Sequence, residues 1–163
     1  MDHARAAAHA DLDELEALAG TAIAAMGPQR GGSLWQRRDA RRAPLRAGLE
    51  ADLARPGADG ALVVGTIDGT VVGYGCSRLE ALEDGGVLSV VTDLFVRPEA
   101  RGVGVGEAMM ELLVAHAREQ GALGIDSLAL PGDRATKNFF ETFGLKARAI
   151  VVHRSLEDGD AEA

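Results

Sequence analysis

The chain reads as an α+β fold, a central mixed but mostly antiparallel sheet flanked by helices, and three observations predict it. Residues 61–67, 70–80 and 87–96 are β-rich runs; Asp68-Gly69 joins the first two as a hairpin, and Glu83-Asp84-Gly85-Gly86 joins the last two. Helical periodicity lies on both sides of this meander, in residues 12–26 and again in 106–120. A length of 163 residues, 47% hydrophobic and 26% charged, suits one self-sufficient core.

The elements follow in order. Residues 3–7 form a short first strand. Asp11 caps a helix whose Leu12, Leu15, Ala19, Ala22, Ile23 and Met26 recur at helical spacing, and Gly27-Pro28 stops it. Pro44 opens a second helix with Leu45, Leu49 and Leu53 stacked at i, i+4, ending before Pro56. After the meander, residues 106–120 place Met109, Leu112, Leu113 and His116 inward. A strand over 127–130, a helix over 135–143 closed by Gly144, and a final strand over 147–154 complete the fold. One domain spans residues 1–156, and 157–163 is an acidic, disordered tail.

Composition excludes several functions. The net charge of −8 disfavours general nucleic-acid binding and adhesion to an anionic membrane. The single cysteine, Cys76, precludes an intrachain disulfide or a cysteine-rich zinc site and fits a reducing cytoplasm. No apolar run reaches the roughly 18 residues of a membrane span, and residues 1–10 lack a signal peptide's hydrophobic segment. The expectation is a cytoplasmic domain without metal, membrane or nucleic-acid partner.

The informative stretch is 90–107, VVTDLFVRPEARGVGVGE. A β-branched strand runs into Pro98, then Arg101-Gly102-Val103-Gly104-Val105-Gly106, then a helix. Alternate glycines leave backbone N–H groups uncovered, and the helix adds its own unpaired donors and the positive end of its dipole. Such a loop suits a pyrophosphate. A P-loop would need Gly-Lys-Ser/Thr where this chain has Gly106-Glu107-Ala108. The dinucleotide fingerprint fails too, since its third glycine falls on Glu107 or Met109.

What remains resembles the acetyl-CoA-binding core of the GNAT superfamily of N-acetyltransferases, V-x-P-x-x-(R/Q)-x-x-G-x-(G/A). Val96, Pro98, Arg101, Gly104 and Gly106 fill it without a gap, and Phe139-Phe140-Glu141-Thr142-Phe143-Gly144 is similar to the superfamily's closing helix. The resemblance implies the GNAT fold, acetyl-CoA as co-substrate, and direct transfer of its acetyl group to a primary amine. It implies that Leu94, Phe95 and Val96 pair with the pantetheine arm, beside a bulge near Pro98. Arg101, Gly102, Val103, Gly104, Val105, Gly106 and Glu107 would hold the pyrophosphate, with Arg101 either neutralising phosphate or merely packing. The superfamily's frequent tyrosine acid corresponds to Phe140, and the asparagine seven residues earlier to Asp133, with Asn138 nearby.

The acid is therefore missing or comes from elsewhere, and the base is open as well. Tyr74, the only tyrosine, is the one phenol that could protonate a thiolate. Asp93, a carboxylate inside a strand, is the leading base candidate; Glu80, Glu83, Asp84, His116 and His153 are others. Six arginines between Arg30 and Arg46 face one acid, Asp39. Arg37/Arg41 and Arg38/Arg42 would share a helix face, either as a surface for an anionic acceptor or CoA phosphates or as partners of the chain's own acids. The acceptor is a small-molecule or protein amine, and a homodimer is expected as in many superfamily members. The rival reading is a catalytically idle, regulatory acyl-CoA-binding module.

Overall fold

The structure, a computed structural model, describes residues 3–157. The acidic tail beyond 157 lies outside the described residues. Five strands form one sheet in the order β1-β2-β3-β4-β5: β1 (Ala4–Ala6), β2 (Gly60–Ile67), β3 (Thr70–Ala81), β4 (Val87–Val96) and β5 (Gly124–Ser127). The first three pairings are antiparallel and β4–β5 is parallel, as expected of a meander that turns mixed at its end. Asp68 and Gly69 adopt φ 48° and 80°, the left-handed pair that a two-residue hairpin needs.

Helices α1 (Leu12–Met26), α2 (Gly32–Arg38) and α3 (Leu45–Ala54) precede the meander; α4 (Val105–Glu119) and α5 (Arg134–Thr142) follow it. Strand alternation divides the core. Leu62, Val64, Tyr74 and Cys76 pack with Leu12, Leu15, Leu18 and Leu49 on the α1–α3 face. Val63 and Val91 pack with Val105, Met109, Met110, Leu113 and Phe140 on the other. On that second face α4 lies close because Gly65 carries no side chain. A Cβ there would stand 2.4 Å from Val105 Cγ1, so the glycine fixes how near the helix start approaches the sheet.

Five local expectations are corrected. The strand placed at 127–130 is instead Gly124–Ser127, because Ser89 and Val90 pair with Ile125 and Asp126. The strand over 147–154 does not form; this segment has no regular secondary structure and no ladder among the described residues, and Ile150, Val151 and Val152 are 86%, 81% and 90% exposed. Leu112 faces outward, and Met110 and Ala117 take the inner positions with Met109 and Leu113. Asp11 stands at the start of α1 but does not cap it; its carboxylate accepts from Ala8 N–H at 2.8 Å and from Arg5 at 2.7 and 2.8 Å. The bulge lies at Thr92, six residues before Pro98: pairing steps from Cys76↔Asp93 to Ser77↔Val91.

That bulge has consequences for the site. Strand alternation alone would put Asp93 on the same face as Val91, beneath α4. One extra residue reverses the parity, so Asp93 joins Tyr74 and Cys76 on the α1–α3 side while Leu94 and Val96 turn to α4. No helix among the described residues is long and apolar enough to cross a membrane.

Candidate active site

The parallel β4–β5 pairing ends at Val91↔Ser127, and β4 continues alone on that side to Val96. The strands splay, and a cleft of about 90 Å³ opens between them, floored by residues 91–95 and by Tyr74. Its far wall is 127–130 with Asp133, Thr136 and Phe140, and its near wall is Ala22, Ile23, Met26 and Trp35. Leu94, Phe95 and Val96 thus lie on an edge without a β5 partner, where an extended amide chain can hydrogen-bond, although Val96 O already accepts from Arg101.

The edge runs into the glycine loop. Gly102 and Gly104 hold φ 77° and 91°, and Gly104 is the residue from which α4 starts. An added Cβ at either would meet nothing within 4 Å, so packing does not demand glycine; the backbone conformation does. Val105, Gly106 and Glu107 occupy the first turn, where no helical carbonyl precedes their N–H groups. The first such bond is Ala108 N–H to Gly104 O at 3.0 Å. The loop and helix start therefore present donors and a positive dipole end to one point, which fits a pyrophosphate.

Arg101 does not reach outward as a lone phosphate ligand. Its Nε donates to Val96 O at 2.9 Å and its guanidinium lies 5.7 Å from the Phe95 ring centre. Asp133 caps α5, accepting from Thr136 N–H at 3.1 Å and from its hydroxyl at 2.7 Å, and it faces the cleft. Phe140 is buried and also borders the cleft, whereas Asn138 is exposed and not part of its lining.

At the cleft floor the two candidate catalytic residues meet. Tyr74 Oη donates to Asp93 Oδ2 at 2.9 Å, and Thr92 Oγ1 donates to Asp93 Oδ1 at 2.7 Å. Arg41 grips the same carboxylate through Nε and Nη2, at 3.1 and 3.3 Å, and gives Nη1 to Asp52 at 2.7 Å. Burial works against the Arg41 charge, but Asp93 and Asp52 outweigh it and raise the guanidinium further. Burial and then the Asp93 charge push the Tyr74 phenol well above its ordinary value. Burial, reinforced by Asp93 and Asp52, pushes the Cys76 thiol up to about 11.

The other base candidates lie elsewhere. Glu80 pairs with Leu88 in the ladder and binds Arg78, at the opposite end of the hairpin from the cleft. Glu83 and Asp84 sit in the β3–β4 turn, His116 Nε2 is 2.6 Å from Gly57 O, and His153 is exposed. The arginine cluster does not form one helix face: α2 ends at Arg38, and Arg41 turns inward from the connection to α3. Pro44 was the available signal, since the residue before a proline is disfavoured from helix. Nothing in the spacing signalled Asp52 or Trp35 as neighbours of the site. Among the described residues no group of three or more His, Cys, Asp or Glu gathers to hold a metal.

Residues 13–145 match the model of the Acetyltransferase (GNAT) family. No curated protein matches the chain. Solved structures share its fold. A tetramutant of the BH1408 protein from Bacillus halodurans superposes with a TM-score of 0.77 at 17% identity, covering 94% of this chain and 99% of that one. Glucosamine-6-phosphate N-acetyltransferase from Arabidopsis thaliana gives 0.66 at 15% identity, covering 94% and 97%. AAC(6')-Iy in complex with the bisubstrate analogue CoA-S-monomethyl-acetylneamine gives 0.69 at 14% identity, again covering 94% and 97%.

Proposed function

The chain belongs to the acetyltransferase (GNAT) family, and from that premise we propose that it transfers an acetyl group from acetyl-CoA directly to a primary amine. The observation that carries this reading is the splay of β4 from β5 beside the glycine loop, with Tyr74 and Asp93 bonded together at its floor. Leu94, Phe95 and Val96 pair with the pantetheine arm through their backbone. The N–H groups from Gly102 to Glu107 hold the pyrophosphate, and Arg101 gives up Val96 O to the arm and turns to phosphate. Asp133 borders the arm near the thioester.

Tyr74 and Asp93 move the proton. As the amine nitrogen bonds to the thioester carbon, the phenol oxygen takes the amine proton while its own passes to Asp93. When the C–S bond breaks, the pair returns one proton to the departing sulfur and ends as it began. Thr92 and Arg41 hold Asp93 in place for this exchange. Cys76, protonated at neutral pH, is no acyl carrier, which supports direct transfer. Alignment of amine and thioester in the cleft contributes up to about 7–11 kcal/mol.

An idle acyl-CoA-binding module is the second reading, and Phe140 favours it: a buried phenyl ring stands where the superfamily often carries its tyrosine acid. Incubation with acetyl-CoA and a panel of primary amines, following free thiol, separates the two. Amine-dependent thiol release supports transfer. Tight acetyl-CoA binding with no release across the panel overturns it.

A further inference from the structure

The acceptor half of the cleft is walled by the end of α1 and by α2. Ala22 is buried there, and Ile23, Met26 and Trp35 are half-buried beside the floor that holds Asp93. Leu128 and Leu130 continue the apolar surface opposite. None of these side chains except the Trp35 indole N–H offers a hydrogen bond. A polar body buried against them leaves its groups unpaired.

Charge points the same way. Among the described residues Arg41 is the only cationic one lining the cleft, and its guanidinium is occupied by Asp52 and Asp93. Asp93 and Asp133 outnumber it, so the lining carries one net negative charge. Arg37 and Arg38 lie outside the lining, their side chains 74% and 69% exposed. An anionic acceptor finds no free cation here, whereas an ammonium group is attracted and releases one proton to solvent before its nitrogen attacks.

We propose that the acceptor is a primary amine with an uncharged, apolar body, which rests on Trp35, Met26 and Ile23 and directs its nitrogen to Tyr74 and Asp93. This inference builds on the acetyl-transfer reading and names its substrate class. Of the alternatives for the arginine-rich segment, it sets aside the one in which that segment is a surface for an anionic acceptor.

Phenethylamine and phenylalanine test it, because they share one body and differ by a carboxylate; glucosamine 6-phosphate supplies a polar, anionic body. Trp35 is the only tryptophan, so its emission reports occupancy without turnover. With CoA present, phenethylamine is expected to change that emission and to bind at least tenfold more tightly than either anionic amine, with kcat/KM in the same order. Met26→Lys, which removes apolar surface and repels an ammonium, is expected to weaken phenethylamine at least tenfold while acetyl-CoA affinity stays unchanged, which also shows that the variant folds. Equal or tighter binding of phenylalanine or glucosamine 6-phosphate overturns the proposal, as does no response to phenethylamine. The predicted binding order without thiol release upholds the pocket and overturns acetyl transfer instead.

Discussion

Tyr74 and Asp93 stand on neighbouring strands in diagonal register, Tyr74 opposite Phe95 and Asp93 opposite Cys76, and their side chains meet in a 2.9 Å hydrogen bond. Only the bulge at Thr92 makes the meeting possible, by turning Asp93 onto the face that Tyr74 already occupies. If the pair works as one proton carrier, Tyr74→Phe and Asp93→Asn each lower kcat by about a hundredfold. The double variant is then expected to be no slower than the slower single one, because both changes remove the same step. Steady-state rates checked at saturating acetyl-CoA decide it, and multiplying losses would contradict a shared role.

Arg41 is a structural anchor as well as a neighbour of the carboxylate. Its side chain is 10% exposed and joins Asp52 to Asp93. Arg41→Met leaves the Asp93 carboxylate without a guanidinium, while Asp52 keeps Arg55 at 2.8 Å, and is expected to cost about 3–5 kcal/mol of unfolding free energy. Arg41→Lys restores charge but not the fork, so urea denaturation should place it between wild type and Arg41→Met.

Alkaline pH should weaken the fold from within the same network. The Cys76 thiol rises from its ordinary 9.0 to about 11, and Tyr74 rises from its ordinary 10.0. Both groups hold their protons more tightly when folded than when unfolded, so the unfolded chain loses protons first. Stability is full below about pH 9 and falls as pH climbs through the window above it. Chemical denaturation between pH 7 and 11 is expected to show this decline, and Cys76→Ala is expected to shallow its first part. A flat profile in the wild type would remove the burial argument for both groups.

Gly104 separates backbone strain from ligand approach. At φ 91° an alanine is expected to cost about 1 kcal/mol while leaving the loop open. Gly104→Glu adds a carboxylate beside the N–H groups of the loop and should abolish CoA binding. Calorimetric titration with CoA checks both variants; unchanged affinity in Gly104→Glu would refute the assigned pyrophosphate cradle.

The meander, its turns, α1, α4 and the glycine loop were legible because each is written in local chemistry: Asp68-Gly69 at a left-handed turn, and Pro98 and Gly104 around the start of α4. Tyr74 and Asp93 could be singled out by residue type, but not brought together. Their contact depends on one inserted residue, and a bulge at Thr92 leaves no mark in a run of β-formers. Arg41 does partner the chain's own acids, one of the two alternatives its sequence offers, but not from a helix face shared with Arg37: the chain leaves α2 three residues earlier and buries the guanidinium against partners 11 and 52 positions away. The run of β-branched residues at 150–152 predicts a strand by propensity, yet it pairs with nothing among the described residues, and propensity alone supplies no ladder.

The most direct measurement follows CoA thiol and N-acetylated product together, for wild type and Asp93→Asn, with acetyl-CoA and phenethylamine at neutral pH. Acetyl transfer at the β4–β5 splay predicts one thiol released per amide formed in the wild type. It predicts about a hundredfold slower rate in Asp93→Asn, with acetyl-CoA binding intact in both. Acetyl-CoA bound by the wild type with neither thiol nor amide appearing, with this or any other primary amine, would contradict it.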